Sequence, residues 1–179
     1  MANGKAKGSG WEREIAKFFT IWVTGNEKPY CFWRSPSSGA LATIAHADSV
    51  SGDIIAIKPE GEFLTSVFSI EAKVGYPKAD FFQHFKDVKS DIIKDFWIQC
   101  IGDAEKSDKY GMLIFKKKGL KPIVGIGDDI KIFLDEHVLL PKSLVLVYDD
   151  GTPRINFYDM SQFFDIVTPQ IIKIIGEEI

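Results

Sequence analysis

The sequence predicts an α/β fold, in which helices flank a mixed central β-sheet. Apolar residues recur at helical spacing near the N-terminus and again in the middle of the chain. Between and after these segments lie short runs of β-branched and apolar residues, bounded by Gly, Pro and Asp, as strands are. At 179 residues, of which 45% are hydrophobic, the chain is long enough for one well-buried core and is expected to form one domain.

The N-terminal segment combines a short basic stretch with an amphipathic helix. Residues 1–8 are small and basic, and we expect them to be flexible. A helix is predicted to begin at Ser9, because Ser9 and Glu12 have the spacing of a capping box. Glu12 also borders the apolar stripe and could point over the sheet; the two roles do not exclude each other. The stripe consists of Trp11, Ile15, Phe18, Phe19 and Trp22.

A strand and a polar loop are predicted next. Residues 30–34 are apolar and aromatic, which is typical of a strand. The loop at 35–40 contains Ser, Pro and Gly, and its backbone N–H groups and hydroxyls are suited to contacts with phosphate. The same composition is also that of an ordinary turn. Residues 41–52 are expected to form an irregular approach to the following strand.

Two apolar runs, at 53–57 and 66–74, are predicted to form a β-hairpin. The residues between them, 58–62, include Pro, Gly and Glu, which favour a turn over a continued strand. Because side chains alternate along a strand, Glu71 and Lys73 would share one side, opposite an apolar side that faces the core.

This hairpin would bring charged side chains together at one edge of the sheet. If Asp53 lies across from Glu71, two carboxylates and the ammonium group of Lys73 meet there. Paired carboxylates suit Mg²⁺, which polarises phosphoryl oxygens and activates water, and a nearby Lys can position that water or neutralise charge. An Asp at a strand start and an E-x-K pair are each common on solvated sheets, whereas the complete arrangement is much less ordinary.

Helices and a central strand are predicted in the middle of the chain. Residues 78–88 have helical spacing, and Ser90 is predicted to cap a longer helix that ends at Lys106. A central strand at 111–115 and a basic loop at 116–121 follow. A Gln on the flank of a helix, such as Gln99 here, is normally solvated. The buried stripe of the longer helix consists of Ile93, Trp97, Cys100 and Ala104, and its flank of Asp95, Gln99 and Asp103.

The last third, residues 122–179, is predicted to extend the same domain or to supply a dimer surface. A short helix capped by Asp159 or Ser161 and a terminal helix beginning at Pro169 are expected to close the chain. Nothing in this segment forms a cluster of metal-ligating residue types. Its other elements are apolar runs at 123–126 and 130–134 and two strands, at 144–148 and 154–158, joined by a hairpin turn.

Charge and composition limit the kinds of partner. The net charge is −3 and the sequence pI is about 5.6, which argues against a protein that coats nucleic acid. A DNA enzyme of this composition needs locally gathered positive charge, although such runs are otherwise only solvated faces. Cys31 and Cys100 are too few for a disulfide framework and show no C-x-x-C spacing, and the three His residues are scattered. The basic clusters are Lys5, Lys7, Arg13 and Lys17, and Lys116, Lys117, Lys118 and Lys121.

Targeting signals are absent from the sequence pattern. The N-terminus has no apolar segment of the secretory type, and no run approaches the roughly 18 apolar residues that a membrane span needs. The sequence therefore predicts a soluble, intracellular protein located in the cytoplasm.

Four short motifs resemble those of a known nuclease superfamily. Asp53 followed by Glu71-Ala72-Lys73 resembles the PD-(D/E)xK motif, with Gly52 in place of the Pro, which is not a ligand. The others resemble archaeal-type and phage Holliday junction resolvases. They are K-G-S-G-W-E-R-E in the first helix, R-x-x-x-S-G ahead of G-D-I-I-A, and F-W-x-Q-x-x-x-D-A-E-K before a strand. The resemblance covers about residues 5–118.

The resemblance implies a restriction-endonuclease-like core, assigned to residues 9–121, and a DNA endonuclease that depends on Mg²⁺, for which Mn²⁺ can substitute. It implies a homodimer that makes paired nicks in branched DNA, namely a four-way junction. It also fits a phage-encoded protein that acts in the host cytoplasm. A restriction-type or repair endonuclease of the same superfamily, and a non-catalytic DNA-binding module with this fold, stay open as alternatives.

The resemblance also assigns roles to individual residues. The implied catalytic residues are Glu12, Asp53, Glu71, Lys73 and Gln99, with Asp53 and Glu71 as metal ligands and Glu12 reaching the metal through water. The implied DNA contacts are Lys7, Arg13, Arg34, Ser38, Gly39, Lys116, Lys117 and Lys118.

Overall fold

A computed structural model describes residues 4–35, 51–82 and 91–178 of the chain. In chain order its elements are α1 (Gly4–Thr24), β1 (Phe32–Arg34), β2 (Ile54–Ala56), α2 (Pro59–Val67), β3 (Phe68–Val74), α3 (Ile92–Glu105), β4 (Tyr110–Lys116), β5 (Ile123–Ile126), α4 (Asp128–His137), β6 (Leu144–Leu146), β7 (Ile155–Asp159), α5 (Met160–Ile166) and α6 (Pro169–Glu178).

The main sheet is mixed and has five strands in the order β3-β4-β5-β7-β6. β3 and β4 run parallel, with α3 in the connection between them, and the remaining pairs are antiparallel. A separate antiparallel ribbon, formed by β1 and β2, approaches β3 through one parallel bridge between Gly52 and Ile70. The α/β architecture with a mixed sheet, predicted from the sequence, is confirmed.

Helices cover both faces of the sheet, and β3 separates the two cores. Phe68, Ile70 and Ala72 of β3 pack in a core that includes Ile15 and Phe19 of α1. A second core, on the opposite face, is built around α3 and the β6–β7 pair. Because side chains alternate along β3, its intervening residues face the α3 side. The predicted division of this strand into an apolar face and a charged face is therefore confirmed.

The predicted hairpin between residues 53 and 74 is wrong, because a helix, α2, connects the two runs. Pro59 occupies the first turn of α2, where its missing N–H costs no helical hydrogen bond. The negative charges of Glu60 and Glu62 interact favourably with the positive, N-terminal end of the helix dipole. Gly61 is buried against Phe32, since a Cβ on Gly61 would lie 2.8 Å from the Cζ atom of that ring. Residues that read as a turn by composition thus begin a packed helix.

Two predicted helix starts are also wrong. α1 begins at Gly4, so Ser9 lies inside the helix and cannot form the capping box with Glu12. α3 is capped by Asp91, whose Oδ1 accepts hydrogen bonds from the backbone N–H groups of Ile93 (3.0 Å) and Lys94 (3.1 Å). Ser90 and most of the predicted helix at 78–88 lie outside the described residues. The predicted buried stripe of α3 is confirmed in Ile93, Trp97, Cys100 and Ala104.

The last third of the chain extends the main sheet and adds helices to it. β5 pairs with β4, and the predicted hairpin is present as β6 and β7, with Leu144 opposite Phe157. Asp159 caps α5 by accepting from the N–H groups of Ser161 and Gln162, and α6 begins at Pro169 as predicted. The run at 130–134 lies in α4. None of the helices in the described ranges is long and apolar enough to cross a membrane.

The ribbon meets the sheet at a point that requires glycine. Gly52 has a φ of +80°, a conformation that side chains with a Cβ rarely adopt. A Cβ at this position would lie 2.6 Å from the carbonyl oxygen and 2.7 Å from the nitrogen of Ile70. Both atoms belong to the backbone of a buried strand and cannot move aside. The backbone of β3 therefore excludes any larger residue at position 52.

This close approach predicts that Gly52→Ala destabilises the protein by about 3 kcal/mol or more, since conformational strain and a backbone clash add. Gly151→Ala is the matched control. Gly151 has a similar φ of +85°, but within the described structure no atom lies within 4 Å of its added Cβ. Gly151→Ala should lower the free energy of unfolding by only about 1–2 kcal/mol. Urea unfolding of both variants measures the difference, and equal losses would show that strain alone makes glycine necessary at position 52.

Candidate active site

Asp53 is anchored to β3 by its backbone and by its side chain. Its N–H donates to the carbonyl oxygen of Ile70 (2.7 Å), and its own carbonyl accepts from the N–H of Ser35 (2.6 Å). Its Oδ2 accepts from the N–H of Ala72 (2.9 Å). The carboxylate is thereby fixed beside the strand that contains the E-x-K motif. The predicted meeting of Asp53 with this motif occurs, although through a bridge and not through a hairpin.

Glu71 is a buried carboxylate with an ordered polar neighbourhood. Only 3% of the residue is exposed. Its Oε1 accepts a hydrogen bond from Nε2 of Gln99 (2.9 Å) and forms an ion pair with the ammonium group of Lys73. Among the described residues, both side-chain contacts of Glu71 use Oε1, which leaves Oε2 for another ligand. The predicted orientation of Gln99 toward the site is thus observed.

Lys73 lies between this carboxylate and an aromatic ring. Its Nζ lies 5.6 Å from the ring centroid of Phe96, a cation–π arrangement on the flank of α3. Burial lowers the pKa of Lys73, but the hydrogen bond and charge of Glu71, together with Asp53, outweigh burial and raise it overall. The side chain therefore stays an ammonium ion over the physiological pH range.

The carboxylates of the site repel one another in a poorly solvated environment. Burial, followed by the charge of Asp53, raises the pKa of Glu71 to about 7 even though Lys73 opposes the shift. Burial also raises the pKa of Asp53, against the hydrogen bond from Ala72. Asp103 contributes to both shifts. Such perturbed groups, gathered by specific contacts, are typical of functional sites.

Glu12 and Arg34 join the site from the α1 side. Nη1 of Arg34 lies 3.6 Å from Oε2 of Glu12, and both side chains are partly buried. Burial and the charge of Asp53 raise the pKa of Glu12, and Arg34 partly offsets them. With the capping box excluded, the side chain of Glu12 is available for the role over the sheet that the sequence left open.

The described ranges contain no group of three or more His, Cys, Asp or Glu side chains arranged to hold a metal ion. Glu12 therefore does not form one direct ligand group with Asp53 and Glu71, and its contribution through water stays a prediction. Two fixed carboxylates remain, which is the number that Mg²⁺ commonly takes from a protein.

The predicted DNA-binding residues are only partly placed near the site. Arg34 contacts Glu12, as described above. Lys116 ends the strand beside β3, but its Nζ turns toward α1, at 4.9 Å from the ring centroid of Trp11 and 3.9 Å from Oε2 of Glu14. Arg13 is exposed on α1, and Lys117 and Lys118 follow β4 in the loop. Ser38, Gly39 and the side chains of Lys5 and Lys7 lie outside the described residues.

One electrostatic neighbour was not assigned to the site from the sequence. Asp103 raises the pKa values of Asp53 and Glu71, although Lys106 pairs with it at 2.7 Å. It lies four residues after Gln99 on α3, so the two side chains project from the same face of the helix. This i, i+4 spacing was the available signal, but it points to the site only once Gln99 is known to face Glu71.

Comparison with protein families agrees with this geometry. A fold and site of this kind define a PD-(D/E)xK nuclease. The chain belongs to the family described as "Phage putative PDDEXK endonuclease", whose model matches residues 3–164. Comparisons with curated proteins and with solved structures give no significant match. The family confirms the resemblance to the PD-(D/E)xK nuclease superfamily, together with the restriction-endonuclease-like fold.

Family membership makes the chain a nuclease of this superfamily, whose substrate is DNA and whose members generally use divalent metal ions. The Pro of the superfamily motif is replaced by Gly52, and the structure explains why. A φ of +80° lies outside the range that the proline ring permits, and the close approach to Ile70 excludes any side chain.

The raised pKa of Glu71 predicts a change in stability with pH in metal-free solution. A carboxyl group whose pKa rises on folding, here from 4.5 to about 7, destabilises the folded state as pH rises through that interval. Glu71→Gln stays neutral. At about pH 8 in EDTA it should be more stable than the parent by on the order of 2 kcal/mol, with little difference near pH 4.5.

Thermal unfolding at several pH values tests this expectation. A variant that is less stable than the parent at every pH would show that the ion pair with Lys73 outweighs the cost of burying the carboxylate.

Proposed function

We propose that the protein is a Mg²⁺-dependent, structure-selective DNA endonuclease of the Holliday-junction-resolving type. The observation that supports the nuclease chemistry is the meeting of Asp53 with Glu71 and Lys73 at β3, where Gln99 orients Glu71. The resolving specificity is supported by the motif order along the chain and by the charge balance.

The residues present fit a magnesium ion. Asp53 and Glu71 supply hard oxygen donors, each held by hydrogen bonds through one of its oxygens. When bound, Mg²⁺ supplies a Lewis acid for a phosphoryl oxygen and acidifies water, and Mn²⁺ prefers the same ligand types. Asp53 and Glu71 would bind the ion directly, and Glu12 would contact it through a water molecule.

The chain's own groups determine the position and the charge of the site. The N–H of Ala72 fixes Asp53, and Gln99 fixes Glu71, so neither carboxylate has to reorganise when DNA binds. The ammonium of Lys73 places a positive charge at the same point, where it favours the negative charge that develops on phosphate. Arg34, held by Glu12, offers a planar guanidinium suited to a backbone phosphate.

The preference for branched DNA follows from the weak overall electrostatic field. Binding to linear duplex scales with the number of phosphates that are neutralised, and a chain of net charge −3 neutralises few. At a junction several backbones converge, so separate basic side chains can each meet a different arm. Paired nicks require two sites related by symmetry, and the described part of one chain brings together one such carboxylate pair. The proposed active species is therefore a homodimer, which light scattering can measure.

The central test is cleavage of a DNA panel with Mg²⁺ and with EDTA. Four-way junctions should be nicked in pairs, and linear duplex of the same sequence should be cut far more weakly. Asp53→Asn removes one ligand without a cavity and should lower cleavage by about a hundredfold or more while folding and DNA binding persist. Asp165→Asn, on the exposed surface of α5, is the matched control and should cleave normally.

The outcomes of this panel separate the alternatives. Sequence-specific cutting of linear duplex would identify a restriction-type enzyme, and a preference for flapped DNA would identify a repair enzyme. Binding without cleavage under every metal condition would identify a non-catalytic module and would overturn the proposal.

A separate prediction concerns Glu12. Glu12→Gln keeps the size of the side chain but removes the charge that holds Arg34 and faces Asp53, so cleavage should fall by about tenfold with a normal fold. Glu14→Gln is the matched control, because this neighbouring residue points to Lys116 and is exposed. If both variants cleave equally well, Glu12 takes no part in the reaction.

A further inference from the structure

We propose that Trp33 and Tyr30, together with Lys28, form a stacking surface that binds an unpaired nucleobase of DNA beside the candidate active site. This inference deepens the proposed function, since it rests on DNA being the substrate and names the structural feature of that DNA that is recognised.

The surface is an aromatic pair, in which Trp33 is exposed and Tyr30 is partly buried, with an adjacent cation. Trp33 is 39% exposed, although it lies in a strand between the buried Phe32 and the partly buried Arg34. Its ring centroid lies 5.5 Å from that of Tyr30, with a tilt of 57° between the planes. Nζ of Lys28 lies 5.9 Å from the ring centroid of Tyr30. Two ring systems and an ammonium group thus lie side by side, on β1 and on the segment just before it.

The ribbon places this surface next to the catalytic residues. Trp33 lies opposite Ile55 in the β1–β2 register, and Asp53 precedes Ile55 by two residues. Diagonal neighbours of this kind are roughly 7–8 Å apart in an antiparallel ladder. The adjacent residue, Arg34, extends from the other face of β1 to Glu12. One short strand therefore carries both a guanidinium directed into the site and an aromatic ring at its border.

An unpaired base matches the chemistry of this surface. Aromatic side chains stack on the π-face of any base, and a neighbouring ammonium group can meet the attached phosphate. Bases within a duplex are already stacked on both faces and do not offer a free face to an outside ring. A base in a bulge does, and so does a base that leaves its pair at the branch point of a junction. The surface would therefore add binding energy only where the duplex is interrupted, which suits an acidic protein with a weak general attraction for DNA.

The test measures binding in EDTA, so that no cleavage occurs. The probes are oligothymidine, a blunt duplex, and the same duplex with a bulge of unpaired thymidines. Trp33→Ala should weaken binding of oligothymidine and of the bulged duplex by about five- to a hundredfold, with the blunt duplex unchanged. Trp33→Phe keeps a ring and should restore most of the affinity. Phe82→Ala is the matched control, because Phe82 is a 70% exposed aromatic outside the ribbon, and it should change nothing.

Fluorescence gives a second readout that does not depend on affinity. Trp33 is the most exposed of the four tryptophans, two of which, Trp11 and Trp97, are at most 5% exposed. Stacking of a base on its ring should quench the emission when oligothymidine is added, and Trp33→Phe should remove this quenching. Tyr30→Ala should reduce both quenching and affinity, and it serves if a variant at position 33 does not fold.

Three outcomes would overturn the inference: equal weakening of all three probes by Trp33→Ala, no weakening of any, or quenching that persists in Trp33→Phe. These outcomes are distinct from failure of the proposed function. A protein that cuts junctions normally with alanine at position 33 and shows no quenching keeps its proposed activity and loses only the stacking surface.

Discussion

The attachment of Gly52 and Asp53 to β3 is the constraint on which the site depends. The N–H of Asp53 extends the hydrogen bonding of β3 at Ile70, and its carboxylate turns back to the N–H of Ala72. Neither contact could form if residue 52 had a side chain, because the backbones approach too closely. The carboxylate of Asp53 is thus positioned mainly by peptide groups, which are more rigid than side chains. The ribbon, which carries Arg34, joins β3 at this same attachment.

The site is built at a cost to stability. Glu12, Asp53 and Glu71 all have raised pKa values, and burial is the first cause in each case. Burial destabilises the charged form of all three acidic groups, and the cations that oppose this effect in the described structure include Lys73 and Arg34. Such an arrangement lowers the stability of the folded state. It also favours binding of a cation and a phosphate, because a bound cation offsets the repulsion between the carboxylates. The well-packed cores on both faces of the sheet supply the compensating stability.

Local signals allowed much of the fold to be predicted, and non-local contacts account for the errors. The β6–β7 hairpin, the start of α6 at Pro169 and the stripe of α3 depend on neighbouring residues and were predicted correctly, and of the two caps predicted for α5, Asp159 is the one observed. α2 was missed because its opening residues resemble a turn, whereas its stability comes from Leu64 and Val67 in the core and from the fit of Gly61 against a ring of β1. The composition of this segment does not reveal that Gly61 packs against the ring of Phe32.

In the candidate site, too, local features were predicted from the sequence and contacts between distant segments were not. The face shared by Glu71 and Lys73 follows from strand alternation, and the E-x-K spacing located it. The pairing of Glu12 with Arg34, and the influence of Asp103 on both carboxylates, join segments that are far apart in the chain. Ser9 and Glu12 had the spacing of a local cap, yet the helix continues past them, because a cap motif does not by itself determine where a helix starts.

The parallel pairing of β3 and β4 has a consequence for how the molecule assembles. Glu71, Lys73 and Gln99 all belong to one continuous strand–helix–strand segment, whereas Asp53 arrives from the ribbon that precedes it. A chain in which only that segment has condensed therefore has one carboxylate and its supporting amide, but not the pair. The two acids come together only where the ribbon is attached to β3. The complete carboxylate pair is consequently a feature of the fully folded chain, and the strand–helix–strand segment alone does not contain it.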